Sequence, residues 1–167
     1  MRIRLPAPPP ARHVLLATAV CGALLLIVAE FLTLREIRAV TAVPPGGRTT
    51  GGSHHLYAFA LIGVAMIPMA VGAIHGRSRP AAIALLALAV TAIAITLLID
   101  LPWIRDTGII GRTYDLAEGH QAVGFWLQCA GAALVLASAV ALLVRGDFAE
   151  RPARSARRSS RGEVSRS

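Results

Sequence analysis

Residues Pro80 to Ile99, PAAIALLALAVTAIAITLLI, contain no charge, and their most polar members are Thr91 and Thr96. At about 1.5 Å per residue this run makes a helix of roughly 30 Å, the thickness of a bilayer's hydrocarbon core. Three further apolar runs accompany it, at about 14–34, 56–74 and 121–144. Inside lipid a backbone must satisfy its own polar groups, so such runs have to be helical. The fold class expected is all-α: an integral membrane, antiparallel four-helix transmembrane bundle.

The composition agrees. The chain has 167 residues, of which 55% are hydrophobic and only 16% charged, too apolar a balance for a soluble domain. Its net charge of +8 comes from 17 arginines and no lysine. These cluster at span ends and in the tail, which suits anionic lipid headgroups rather than nucleic acid. Cys21 and Cys129 lie inside apolar runs and form no CxxC pair, so they read as small hydrophobes.

Residues 1–13 form a Pro/Arg-rich lead, expected in the cytoplasm. The transmembrane domain covers 14–144. A cleaved signal peptide is disfavoured, because the first run is long and Arg35-Glu36-Ile37-Arg38 follows it instead of a small-residue cleavage site. The 35–55 loop, with Pro44-Pro45-Gly46-Gly47 and Gly51-Gly52, reads as flexible. The 100–120 loop carries Trp103, Ile104, Ile109, Ile110 and Leu116, and is expected to fold back onto the bundle. Small-residue stripes are expected at Ala58, Ile62, Ala65, Met69 and Gly72 on the second span. The third has Ala84, Ala87, Thr91, Ala94 and Leu98, and the last has Gly124, Gly131, Ala133, Ala137 and Ala141. Residues 145–167 make a basic tail whose composition predicts disorder.

Orientation follows from arginine counts. If the amino terminus, the 75–79 turn and the tail share one side, that side holds 12 arginines against 5 on the other. By the positive-inside rule both termini are cytoplasmic, and the expected location is the bacterial plasma membrane, multi-pass. The outer half then holds every aromatic residue except Phe148.

Candidate sites gather at this outer end. Glu30 and Asp100 both sit at carboxyl ends of spans, where the helix dipole disfavours an anion. Each should find an arginine among Arg35, Arg38, Arg105 and Arg112, or Glu30 should be protonated. His54, His55 and His120 lie at the amino ends of the second and fourth spans, near Asp115 and Glu118. Glu30, Asp100, His55, His120 and Arg112 thus form one polar outer cluster, and Gln128 is the strongly polar interior residue of the last span. No spacing matches a metal-ligand motif, so neither metal nor cofactor is expected. GxSxG, Walker and HExxH patterns are lacking, which argues against an enzyme.

The residues Asp100-Leu-Pro, Thr107-Gly108, Gly111, Tyr114, Ala117 and Gly124-Phe125 resemble small four-span membrane proteins of high-GC actinobacteria that are uncharacterised and carry no assigned activity. The resemblance covers residues 54–144. The function expected is a multi-pass membrane protein, non-catalytic or an accessory subunit, with a membrane-protein partner or a second copy of itself. The alternatives are a small proton- or cation-coupled transporter using Glu30 and Gln128, and a metal- or haem-binding redox protein using the outer histidines: His54, His55 and His120 with Glu30, Asp100, Asp115 and Glu118 for a metal, or His55 and His120 for a haem.

Overall fold

A computed structural model of the chain describes residues 11–39, 43–114, 116–146 and 148. Most of the Pro/Arg-rich lead, the tail beyond Phe148 and Asp115 lie outside the described residues.

Three helices are long and apolar enough to cross a membrane. They are α1 (Ala11–Ala29), the stretch Arg79–Thr113 that begins with α4 (Arg79–Ile95), and α7 (Val123–Arg145). Between α1 and α4 lie a five-residue helix α2 (Gly51–His55) and the apolar α3 (Ala58–Ile74). With 17 residues α3 is roughly 25 Å long. Helix α1 packs against α3 and α7, and α4 packs against the same two, closing a four-membered ring.

The ring is filled by small and medium residues, including Ala23, Leu26, Met66, Leu85, Ala89 and Val135, while Leu24, Leu61, Ile83, Val90 and Val140 face outward. This inside-out pattern is what lipid permits: without water on the outside, large apolar groups need not be hidden, and close packing inside supplies the cohesion. The tightest crossing is between α1 and α7. A Cβ on Gly22 would stand 2.7 Å from the Gly131 carbonyl oxygen, and one on Gly131 would stand 2.6 Å from that of Gly22. Only glycine at both positions lets the two backbones meet.

The inward stripes differ from those the sequence suggests. On α3 the buried positions are Phe59, Gly63, Met66, Ala70 and Ala73, one residue along from the expected set. On α4 they are Ala82, Leu85, Ala89 and Ala92, whereas Ala87, Thr91 and Leu98 are exposed. On α7, Gly124 and Gly131 are inside as expected, but Ala133 and Ala137 face outward. Several parallel stripes of small residues exist on each helix. The one that turns inward continues into buried polar groups: the α4 stripe leads on to Thr96 and Asp100.

The chain is not purely helical. Strands β1 (Thr33–Arg38), β2 (Arg48–Thr50) and β3 (Glu118–Gln121) form a three-stranded antiparallel sheet in the order β2-β1-β3. Glu36 opposes Arg48 on one side and His120 on the other. The first apolar run therefore ends its helix at Ala29, and Leu34 belongs to a strand. A register shift between Thr33 and Arg35 breaks the strand's alternation, so Leu34 and Ile37 are both buried. That bulge hides the strand in the sequence. Leu34, Ile104 and Phe125 form a second small core under the sheet.

The helical stretch that begins with α4 is also not a plain α-helix. Thr96–Asp100 form a π-helical turn, with the Leu101 N–H donating to the Thr96 carbonyl. Then come α5 (Leu101–Arg105) and α6 (Gly108–Thr113). Pro102 accounts for the turn: it offers no N–H and its ring crowds the carbonyl four residues back, that of Leu98, so the helix widens just before it.

Candidate functional site

Among the described residues the polar ones buried in the bundle are Glu30, Thr96, Asp100, Gln128 and Ser138. Four of them meet at the sheet end. Ser138 stands apart, its hydroxyl donating to the Leu134 carbonyl 2.9 Å away.

Asp100 is the centre of this group and is wholly buried. Its Oδ2 accepts a hydrogen bond of 2.6 Å from Gln128 Nε2, whose other N–H donates to Thr96 Oγ1 at 2.6 Å. The Thr96 hydroxyl in turn donates to the Ala92 carbonyl at 2.9 Å. The chain of bonds is directional and fixes the carboxylate. The π-helical turn supplies the geometry: it places Thr96 and Asp100 together on the inner face, opposite Gln128 of α7.

The other oxygen, Asp100 Oδ1, faces the histidines of α2. His55 Nε2 lies 3.1 Å from it and His54 Nε2 lies 3.8 Å from it. Among the described residues neither Asp100 Oδ1 nor His55 Nε2 has a hydrogen-bond partner, although both are buried. The two rings are held by aromatic neighbours: His54 stacks on Trp103 at 3.7 Å between centroids, and His55 meets Phe59 edge-on at 5.0 Å. Burial, and then the charge of His55, pushes the His54 pKa below its ordinary value, against the opposite pull of Asp100. The two residues after the pair, Leu56 and Tyr57, both have left-handed backbones, with φ of 52° and 63°. Non-glycine residues seldom accept this conformation, and consecutive examples mark a site where the fold holds the chain against its preference.

Glu30 sits beside this centre, in electrostatic reach of His55 and Asp100. None of the expected arginines is its partner among the hydrogen bonds and ion pairs of the described residues. Its Oε1 accepts the Phe59 N–H at 2.7 Å. That amide belongs to the first turn of α3, where Tyr57 provides no side-chain cap. Glu30 thus caps a helix other than its own. The carboxyl end of α1 disfavours the anion, and the amino end of α3 receives it.

Other residues of the expected cluster are elsewhere. His120, on β3, has its Nε2 3.9 Å from Glu118 Oε2 and is half exposed. Arg112, on α6, is exposed. Arg35 serves the cap: its Nη1 donates to the Trp103 and Asp106 carbonyls at 3.1 and 2.9 Å, and its guanidinium lies 3.8 Å over the Trp103 ring. Sequence reasoning missed Thr96 and Trp103. For Thr96 a signal exists, since it precedes Asp100 by one helical turn.

Comparison with family models, with curated proteins and with solved structures finds no match, so the site is read from its own geometry.

Proposed function

We propose that this chain is a multi-pass protein of the bacterial plasma membrane that works as a non-conducting, non-catalytic subunit, with the sheet-capped outer end as its working surface. In this reading α3 is the fourth crossing, both termini are cytoplasmic, and the cap stands outside. Support for the fourth crossing comes from its place in the ring: an apolar helix between two spans has lipid as its only suitable surroundings. Support for the orientation comes from the arginine excess on the other side.

The observation that carries the non-conducting reading is the uneven distribution of buried polar groups. A transported cation or proton needs polar partners through the whole membrane thickness. Here the half of the bundle away from the sheet is packed with Ala19, Ala70, Ala73, Leu85, Ala139 and Leu142, and its interior holds Ser138 bonded to its own helix. A transporter is the second reading, favoured by Glu30 and Asp100 both being buried. Flux separates the two. Proteoliposomes carrying the purified chain should dissipate an imposed pH or cation gradient no faster than protein-free vesicles. Flux that depends on the protein and is lost in Asp100→Asn would replace the subunit reading with transport.

A further inference from the structure

We propose that His54, His55 and Asp100 form a binding site for a divalent transition-metal ion of zinc-like character. The three side chains each offer a ligand atom, and these atoms lie within 4.8 Å of one another. In a tetrahedral site with metal–ligand bonds of about 2.0–2.2 Å, neighbouring ligand atoms stand roughly 3.3–3.5 Å apart. The separations of 3.1 Å (His55 to Asp100) and 3.8 Å (His54 to Asp100) bracket that spacing.

The contact between His55 and Asp100 is not a hydrogen bond, despite its length. Both atoms are buried and, among the described residues, without a hydrogen-bond partner, and they lie 3.1 Å apart. A cation between them satisfies both at once. Among the described residues no arginine forms an ion pair with Asp100, and its other oxygen is taken by the neutral amide of Gln128. A buried carboxylate with that little compensation calls for a positive partner.

The surroundings are those of a metal site. Gln128 orients the ligating carboxylate, as hydrogen-bonded neighbours of metal ligands do. Trp103 and Phe59 fix the two imidazoles. Two nitrogens and one oxygen favour zinc and its first-row neighbours over magnesium or calcium, which take oxygen ligands. His54 is partly open, its side chain 18% exposed, and gives the ion a way in from the sheet end. Three protein ligands are the number found in sites that keep an exchangeable position. The site goes beyond the subunit reading, which requires no ion.

The test uses the full chain in detergent, purified through a tag without histidine and stripped with a chelator. Zn2+ is titrated calorimetrically and Co2+ by visible absorption. One ion should bind per chain, with the intense d–d bands of tetrahedral Co2+. Asp100→Asn and His55→Gln should each weaken binding at least 100-fold. Gln128→Leu should weaken it about 10- to 100-fold. His120→Ala should leave it unchanged. If the Asp100 and His55 variants do not fold, His54→Cys serves, since a ligating thiolate adds a sulfur-to-cobalt charge-transfer band that the wild type lacks. Absence of stoichiometric uptake, uptake indifferent to these substitutions, or a folded His54→Cys protein without the new band would each overturn the site.

Discussion

Gln128 Nε2 lies 2.6 Å from both Asp100 Oδ2 and Thr96 Oγ1, so one amide group ties α7 to the π-helical turn that follows α4. Both its N–H groups are used, which is the full donor capacity of the side chain. Replacing it with leucine removes both bonds and leaves a buried carboxylate oxygen bare. Gln128→Leu should cost about 2–4 kcal/mol of stability. Asp100→Leu alone should also be costly, but the double variant should be less damaging than the sum. Thermal unfolding of the four proteins in detergent gives the coupling energy, and simple additivity would show that the pair does not interact.

Glu30 reaches across from the end of α1 to cap α3. Glu30→Gln keeps an acceptor for the Phe59 N–H and should cost no more than about 1 kcal/mol. Glu30→Ala leaves that amide unsatisfied and should cost about 1–2 kcal/mol. Backbone hydrogen exchange at Phe59 and Ala60 should rise in the alanine variant and stay near wild type in the glutamine variant. Equal exchange in all three proteins would mean the cap contributes nothing.

The Gly22–Gly131 crossing has no room for a side chain on either helix. Gly131→Leu must push α1 and α7 apart and should lower stability by more than about 3 kcal/mol, in the manner of an overpacked core. Ala133→Leu, two residues on and facing outward, should be near neutral. A similar effect from both would place the α7 interface on the wrong face.

The hairpin of the cap should respond to acid. Hydrogen bonding to Arg38, followed by the attraction of Arg38 and Arg48, holds the Glu36 pKa below the usual carboxylate value, and His120 stands across the sheet from it. A depressed carboxyl pKa means the unfolded chain binds the proton more readily. The stabilisation is therefore complete above the ordinary glutamate range and fades as pH falls through and below it. Unfolding midpoints measured from neutral pH downward should fall less steeply in Glu36→Gln. An identical pH profile in that variant would show the ion pairs to be inert.

The apolar runs make the helices legible, because lipid imposes a uniform requirement that composition alone reveals. The ends of the runs are another matter. Leu34 is as apolar as the helix before it, and it joins a strand because the charged residues that follow find partners in the cap: Glu36 pairs with Arg38 and Arg48, and Arg35 donates to the Trp103 and Asp106 carbonyls. The small-residue stripes were ambiguous for a physical reason: α3, α4 and α7 carry small residues on more than one face, and only contacts between helices choose among them. At the site, Glu30, Asp100, His55 and Gln128 stand out in the sequence as polar groups in apolar surroundings. Their partners do not, since Phe59 N–H is a backbone group and the π-helical turn is set by Pro102 acting on residues before it.

Topology tests the central claim most directly. In a protein with Cys21 and Cys129 replaced by alanine, single cysteines at Ser53 and Ile109 report on the sheet end, and those at His75 and Ser159 on the other. An impermeant thiol reagent applied to intact cells should label the first pair and spare the second until the membrane is broken. Labelling of the second pair in place of the first would invert the bundle. Labelling at both ends, or of a protein recovered without membranes, would contradict a multi-pass chain with its polar centre at the outer surface.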